Sequence, residues 1–239
     1  MDIAISVVIP VLNEEESVVP LIRELESSLS DFEHHLEIIY VDDGSTDQTA
    51  AVIDKARVDR PYLHLLRHTR TYGQSAALFS GMQAARGEII VTMDGDGQNP
   101  PGEIRRLISN LNDGVDCVCG VRETRRDSWI RSIGSRIGNS FRNWVTSDRF
   151  ADTGCNFRAF RRHVLREIPL FNSVHRFLPT ILRAQGYTVE EVAVKHRPRE
   201  RGVTKYRLLE RAWSGLRDCF GVRWFSRRAV PGLRLSKRT

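Results

Sequence analysis

Short, nearly unbroken apolar runs punctuate the first half of the chain. Residues 3–10, 36–41, 63–67, 89–93 and 115–119 are rich in Ile, Val and Leu. Runs of this length without strict alternation predict strands buried on both faces, as in a parallel sheet. Between them lie amphipathic stretches that predict helices from the 11–17 loop to about residue 29, from 46 or 47 to 60, over 73–85 and over 103–112. Strands alternating with single helices imply right-handed crossovers and an α/β architecture. After Gly120 the pattern loosens. Residues 121–128 form a charged loop, 129–145 an amphipathic helix, 150–162 a turn-rich stretch, 177–185 a short helix, 188–195 a strand and 196–205 a basic loop. These readings divide the chain into a large α/β unit over 1–205 and an appendage over 206–239.

The appendage predicts an amphipathic helix. Leu208, Leu209, Ala212, Trp213, Leu216, Cys219 and Phe220 recur at helical spacing, opposite Arg207, Glu210, Arg211, Arg217 and Asp218. Val222, Trp224 and Phe225 continue among Arg223, Arg227 and Arg228. Two readings stay open: a helix lying in a membrane interface, or a terminal helix docked on the domain's own core.

No apolar run is long enough to span a bilayer. The 3–12 run lacks a basic lead and a cleavage site, so it predicts a strand and not a signal peptide. Cys117, Cys119, Cys155 and Cys219 show no C-x-x-C pair and no disulfide framework, which fits a reduced, cytoplasmic protein. Charge changes the picture more. Residues 1–120 carry 9 Lys and Arg against 20 Asp and Glu, residues 121–239 carry 27 against 10, and the halves are net −11 and +17 in a chain of net +6. A basic half suits nucleic acid, an anionic membrane or phosphorylated ligands.

The candidate chemistry sits at strand ends. Asn13 and Glu14 follow the first strand, Asp42-Asp43-Gly44-Ser45 the second, and Asp94-Gly95-Asp96-Gly97-Gln98 the fourth. In parallel α/β sheets ligands bind outside the carboxyl ends of the strands, so the three clusters converge on one crevice. Asp94, Asp96 and Gln98 alternate, and an extended backbone would direct all three to one face, where they could hold a hard cation. The Asp42-Asp43 cluster can equally cap the following helix.

Four motifs in order then resemble a known family. Val8-Ile9-Pro10-Val11-Leu12-Asn13-Glu14, Val41 to Asp47, Asp94 to Pro101 and Arg197-Pro198 with Gly202 to Tyr206 resemble the family 2 glycosyltransferases of GT-A fold. Within these the chain is most similar to the polyprenyl-phosphate, dolichol-phosphate-mannosyltransferase-like branch. The resemblance runs from about residue 5 to 228. It implies a GT-A, Rossmann-like, mostly parallel sheet flanked by helices. It implies a metal-dependent, inverting transfer from a UDP- or GDP-linked sugar to a polyprenyl phosphate. Pro10, Leu12, Glu14, Asp42, Asp43 and Ser45 would surround the nucleotide. Asp94, Asp96 and Gln98 would hold Mg2+ or Mn2+ against its diphosphate. Arg122, Arg136, Arg158, Arg201 and Lys205 would receive the acceptor phosphate or the diphosphate. Asp96, Asp152 and Arg122 stand as catalytic candidates, with Asp152 an orienting or basic carboxylate or else structural. Leu12 departs from the family's frequent aromatic, and Gly97 from the branch's frequent Leu.

The resemblance also implies a peripheral position at the cytoplasmic face of a membrane, recruitment by the surface itself or by a separate membrane protein, and a chain compatible with homo-oligomers. One rival keeps the donor and replaces the lipid by a soluble saccharide or protein hydroxyl, which requires a general base. The other is a basic nucleic-acid-binding module, which the absence of any recognised signature disfavours, so no nucleic-acid partner is expected.

Overall fold

A computed structural model describes residues 3–123, 140–198 and 208–231. Seven strands form one sheet: β1 Ile5–Val11, β2 Leu36–Asp42, β3 Leu63–Arg67, β4 Ile89–Thr92, β5 Cys117–Arg122, β6 Arg158–Arg161 and β7 Val189–Val194, in the order β3-β2-β1-β4-β6-β5-β7. All neighbours are parallel except β6, which runs antiparallel between β4 and β5. The helices are α1 Glu15–Ser28, α2 Thr49–Ala56, α3 Gln74–Ala84, α4 Ile104–Ser109, α5 Leu178–Ala184 and α6 Leu208–Arg228.

The unbroken apolar runs are explained by two cores, one on each face of the sheet. Val7, Ile9, Ile38 and Tyr40 point into one with Val18, Leu21 and Leu25 of α1, Ile53 of α2 and Leu107 of α4. Val8, Ile39 and Val41 point into the other with Ala77, Leu78 and Met82 of α3 and Ile181 and Leu182 of α5. Small residues let α3 lie close to the sheet: a Cβ at Gly81 would collide with Val8 and Val41. Pro10 interrupts β1 without loss. In a parallel strand alternate residues bond to opposite neighbours, and Val8, of the same parity as Pro10, bonds toward β4 through the Met93 amide. The β1–β4 register ends at Thr92, opposite Val8, so the amide hydrogen that Pro10 lacks falls beyond the paired residues.

The strands and helices of the first half follow the periodicity to within a few residues. The helix expected over 103–112 is shorter, a 3-10 turn at Pro101–Glu103 followed by α4. The larger difference is β6, which falls inside the stretch expected to be turns. Its four residues are Arg-Ala-Phe-Arg, and only Ala159 and Phe160 carry an apolar signal. β4 and β5 supply the missing instruction, since a strand hydrogen-bonded on both sides needs little propensity of its own.

Of the helix expected over 129–145, residues 140–146 are helical and the remainder lies outside the described residues. α6 answers the open question about the appendage in part. Cys219 and Val222 are buried in the second core beside Val145, while Phe220 and Trp224 face outward. Phe220 was expected on the same apolar face as Cys219, and the packing separates them. No helix among the described residues is long and apolar enough to cross a membrane.

Candidate active site

The carboxyl ends of β1, β2 and β4 carry the acidic clusters, and hydrogen bonds between loops fix them. Asn13, at φ 51, adopts the left-handed conformation and accepts the Thr46 amide on its Oδ1 at 2.8 Å. Its own amide donates to Ser45 Oγ at 2.9 Å, and the Glu14 amide donates to Thr49 Oγ1 at 2.8 Å. Pro10, Leu12 and Glu14 therefore line a β1 loop stitched to the β2 loop, and all three are partly exposed.

The β2 carboxylates are engaged by partners within the protein. Asp42, fully buried, accepts the Ser45 amide at 2.8 Å and pairs with Arg67 Nε at 3.2 Å. Asp43 accepts the amides of Tyr72 and Gly73 at 2.9 and 2.7 Å and meets His68 Nδ1 at 2.7 Å. These bonds hold the 68–73 loop over the β2 turn. Gly44 lies beneath it at φ 78, and a Cβ there would come within 2.7 Å of the Arg70 carbonyl carbon. Asp42, Asp43 and Ser45 thus shape the loops around the expected nucleotide position.

The β4 carboxylates differ. Asp94 Oδ1 accepts two neutral amides, Gln74 Nε2 at 2.8 Å and Asn156 Nδ2 at 3.2 Å. Burial and then the neighbouring charge of Asp96 push the Asp94 carboxyl up to about 6, although the Asn156 bond and the Arg122 and Arg158 charges pull it down. Asp96 Oδ1 accepts the Gln98 amide at 3.2 Å. Gln98 turns its side-chain amide to the Arg197 carbonyl at 3.2 Å, and the Arg197 amide donates to the Gln98 carbonyl at 2.8 Å. The segment after β7 is thereby clipped to the β4 loop, and Arg197 itself pairs with Glu24 at 2.8 and 3.0 Å. A groove of about 490 Å3 beside this clip includes Glu103, Glu123 and Lys195 but neither Asp94 nor Asp96.

Arg122, at the carboxyl end of β5, grips Asp152 in a two-pronged ion pair, Nε to Oδ2 at 2.6 Å and Nη2 to Oδ1 at 2.8 Å. Burial alone would lower the guanidinium pKa, but Asp152 raises it further, so the cation is held firmly. Arg158 points into the second core at 1% exposure, with Nη1 on the His175 carbonyl and Nη2 on the Thr153 carbonyl at 3.0 Å. It contributes charge beneath Asp94 and does not reach solvent. Arg136, Arg201 and Lys205 lie outside the described residues.

The fold therefore gathers Asp94, Asp96, Arg122 and Asp152 around the ends of β4 and β5, with Gln98 at the margin. Gln74 and Asn156 were not singled out in the sequence. A glutamine opening a helix and an asparagine in a turn are common, and only the packing of α3 together with the insertion of β6 beside β4 brings both to one carboxylate. Among the described residues no group of three or more His, Cys, Asp or Glu could hold a metal alone. Asp94 and Asp96 offer hard oxygen donors, and burial together with the charge of Asp96 raises the Asp94 carboxyl. That donor set fits a divalent cation that completes its shell from a bound ligand's oxygens.

Fold and rim together define an α/β architecture of GT-A type, with its acidic edge at the ends of β1, β2 and β4. The family described as Glycosyl transferase family 2 matches residues 6–169, and the chain belongs to it. It is 36% identical over 207 residues to the undecaprenyl-phosphate 4-deoxy-4-formamido-L-arabinose transferase of Proteus mirabilis, covering 86% of this chain and 64% of that protein. The transferase of the same name from Pseudomonas fluorescens is 36% identical over 204 residues, covering 84% and 60%. The chain thus spans about three fifths of the curated relatives it matches. Among solved structures, glucosyl-3-phosphoglycerate synthase from Mycobacterium tuberculosis, in complex with Mn2+, UDP and phosphoglyceric acid, superposes with a TM-score of 0.69 at 19% identity, covering 96% of this chain and 80% of that one. A mannosyltransferase from Pyrobaculum calidifontis, in complex with GDP-Man and Mn2+, gives 0.62 at 22%, covering 84% and 59%.

Proposed function

We propose that the chain transfers a sugar from a nucleoside-diphosphate sugar to a polyprenyl phosphate with inversion at the anomeric carbon. The observation that carries this reading is the Asp94–Asp96 pair, two like-charged carboxylates at a parallel-sheet edge, with Arg122 close enough to act on Asp94 by its charge. Asp94 and Asp96 would hold Mg2+ or Mn2+, with Gln98 at the margin. When bound, the ion supplies Lewis-acid and electrostatic stabilisation of the nucleoside diphosphate as it leaves.

The chain's own residues do the rest. Gln74 and Asn156 fix the Asp94 carboxylate, and the loops built on Asp42, Asp43 and Ser45 frame the nucleotide. A phosphate oxygen of the acceptor forms the new bond to the anomeric carbon, and the bond to the diphosphate oxygen breaks with its electron pair. A lipid phosphate is an anion near neutral pH, so it requires orientation and charge balance and no proton removal. Guanidinium groups fit that task because their fork matches phosphate oxygens. Arg122 is the described candidate, and Arg136, Arg201 and Lys205 are the candidates outside the described residues.

The Arg122–Asp152 pair also separates this reading from a hydroxyl acceptor. A general base must accept a proton from substrate, and both oxygens of Asp152 are already engaged by a guanidinium. The relatives' names support the phosphate acceptor, and the solved neighbours' UDP, GDP-Man and Mn2+ support the donor class and ion.

The test is a screen of UDP- and GDP-sugars with Mn2+ and a short-chain polyprenyl phosphate, reading glycolipid and free nucleoside diphosphate. One donor should give both products in equal amounts, and only with the divalent ion present. Transfer to soluble saccharides with the lipid phosphate inert would replace this acceptor by a hydroxyl.

A further inference from the structure

Gln74 reaches Asp94 from the first position of α3, and the residues on either side of it are each tied down from outside the helix. Gly73, at φ 97, donates its amide to Asp43 Oδ2 at 2.7 Å. Ser75 Oγ shares a 2.7 Å hydrogen bond with His175 Nδ1. Gln74 is thus bracketed, and its side-chain amide meets Asp94 Oδ1 at 2.8 Å. The bracket matters because glycine is the least restrained residue of a chain and the first turn of a helix has no earlier turn to hold its amides. A long glutamine side chain presents its amide at one point only if the backbone beneath it is fixed.

The partner of Ser75 is held firmly in its turn. His175 lies in a single 3-10 turn over Val174–Arg176, entered through Ser173 in the left-handed conformation at φ 68. The Val174 amide donates to the Phe171 carbonyl at 3.1 Å, the Arg176 amide to the Ser173 carbonyl at 3.0 Å and the Phe177 amide to the Val174 carbonyl at 2.8 Å. Val174 and Phe177 are buried in the second core, to which Leu78 of α3 also belongs.

The backbone of His175 serves the same carboxylate from another side. Its carbonyl accepts Arg158 Nη1. Arg158 is 1% exposed and stands opposite Thr92 in the β4–β6 ladder. Burial and Asp96 push the Asp94 carboxyl up, and the charge of Arg158 is among the influences that pull it down. Ring and backbone of one residue therefore touch both the helix start that carries Gln74 and the guanidinium beneath Asp94. Ser75 is 4% exposed. A buried serine–histidine pair contributes little more to stability than a well-packed apolar pair of the same shape, so what it adds is direction.

We propose that His175 is a positioning residue for Asp94: its ring fixes the start of α3 through Ser75 and so aims the Gln74 amide, while its carbonyl seats Arg158. The inference rests on the transferase reading, in which Asp94 holds a divalent ion. It adds a residue from the 174–176 turn that the strand-end motifs do not include. Groups that orient a liganding carboxylate act on metal affinity more than on the fold.

The experiment is titration of the full chain with Mn2+ in the presence of UDP or GDP, read by electron paramagnetic resonance of the free ion, beside the melting temperature. His175→Ala removes the ring, keeps the carbonyl, and should weaken Mn2+ binding about tenfold. Ser75→Ala should do the same, and the double variant no more than either, because both lose the same bond. In a Gln74→Ala background, His175→Ala should change nothing further. His175→Asn places an amide atom where Nδ1 stands and should return binding to within about twofold of the unaltered chain. His175→Gln, which carries that atom where Nε2 stands, should not. Losses that add in the Gln74→Ala background make His175 a structural residue and overturn the proposal. So does a His175→Ala chain that melts lower yet binds Mn2+ as the unaltered chain does. An unaltered chain that binds no Mn2+ with either nucleotide overturns the metal reading and this inference with it, whereas equal binding by the unaltered and His175→Ala chains overturns this inference alone.

Discussion

Asp94 and Asp96 are separated by one residue, yet they divide their work. Asp94 is fixed by two amides and raised to about 6 by burial and by its neighbour, while Asp96 supplies the charge that raises it. Replacing Asp96 by Asn should remove transfer by at least about a hundredfold, the scale of losing a charged group that acts on the leaving group. The same change relieves like-charge repulsion, so the melting temperature without metal should stay level or rise. A fall in both activity and melting temperature would make Asp96 structural. Arg122→Lys keeps the charge and loses the two-pronged grip on Asp152. It should raise KM for the lipid phosphate about tenfold or more while leaving nucleotide binding unchanged, and isothermal titration with nucleoside diphosphate checks the second half. Weakened nucleotide binding would place Arg122 on the donor side.

At the scale of elements, the site depends on two that converge from different parts of the chain. α3 begins with Gln74, and the run into β6 carries Asn156, whose carbonyl also accepts Thr92 Oγ1 at 2.6 Å. β6 therefore serves β4 twice, as a ladder partner and as the support for its terminal carboxylate. Asn156→Ala removes the amide and keeps the carbonyl bond. It should lower kcat/KM about tenfold, the worth of one hydrogen bond to a charged group, with little change in stability. Steady-state kinetics against metal concentration reads this directly. Unchanged kinetics would leave Asn156 a structural residue only. β6 was illegible in the sequence because its pattern is Arg-Ala-Phe-Arg, and its strand character comes from the partners on each side.

The whole molecule is held in part by a polar lock at the end of the sheet away from the site. Glu37 is 1% exposed and accepts Ser6 Oγ and the Arg86 amide, each at 2.6 Å, and Arg86 Nε at 3.0 Å. Burial by itself would raise its carboxyl, but these donors outweigh burial and hold it below its ordinary 4.5. A depressed folded pKa means that the ionised group stabilises the protein above about 4.5 and that this contribution is lost as pH falls through the folded value. Glu37→Gln should therefore destabilise by about 1–3 kcal/mol at pH 7 and by progressively less below pH 4.5, as denaturant melts at several pH values will show. A pH-independent difference would assign the loss to packing alone. The sequence by itself determined the parallel α/β order, the two-sided burial of β1 and β2, and the placing of Asp94 and Asp96 at a strand end. Each of these follows from local periodicity and from the chain polarity of alternating strands and helices. Only the tertiary structure decided which groups hold each acid. Asp42 and Asp43 look as exposed to a cation in sequence as Asp94 and Asp96 do, but Arg67, the His68 ring and the amides of Tyr72 and Gly73 engage the first pair within the fold. The electrostatic state of a carboxylate is set by neighbours across space, and those neighbours arrive through β-sheet insertion and loop packing that no local pattern encodes.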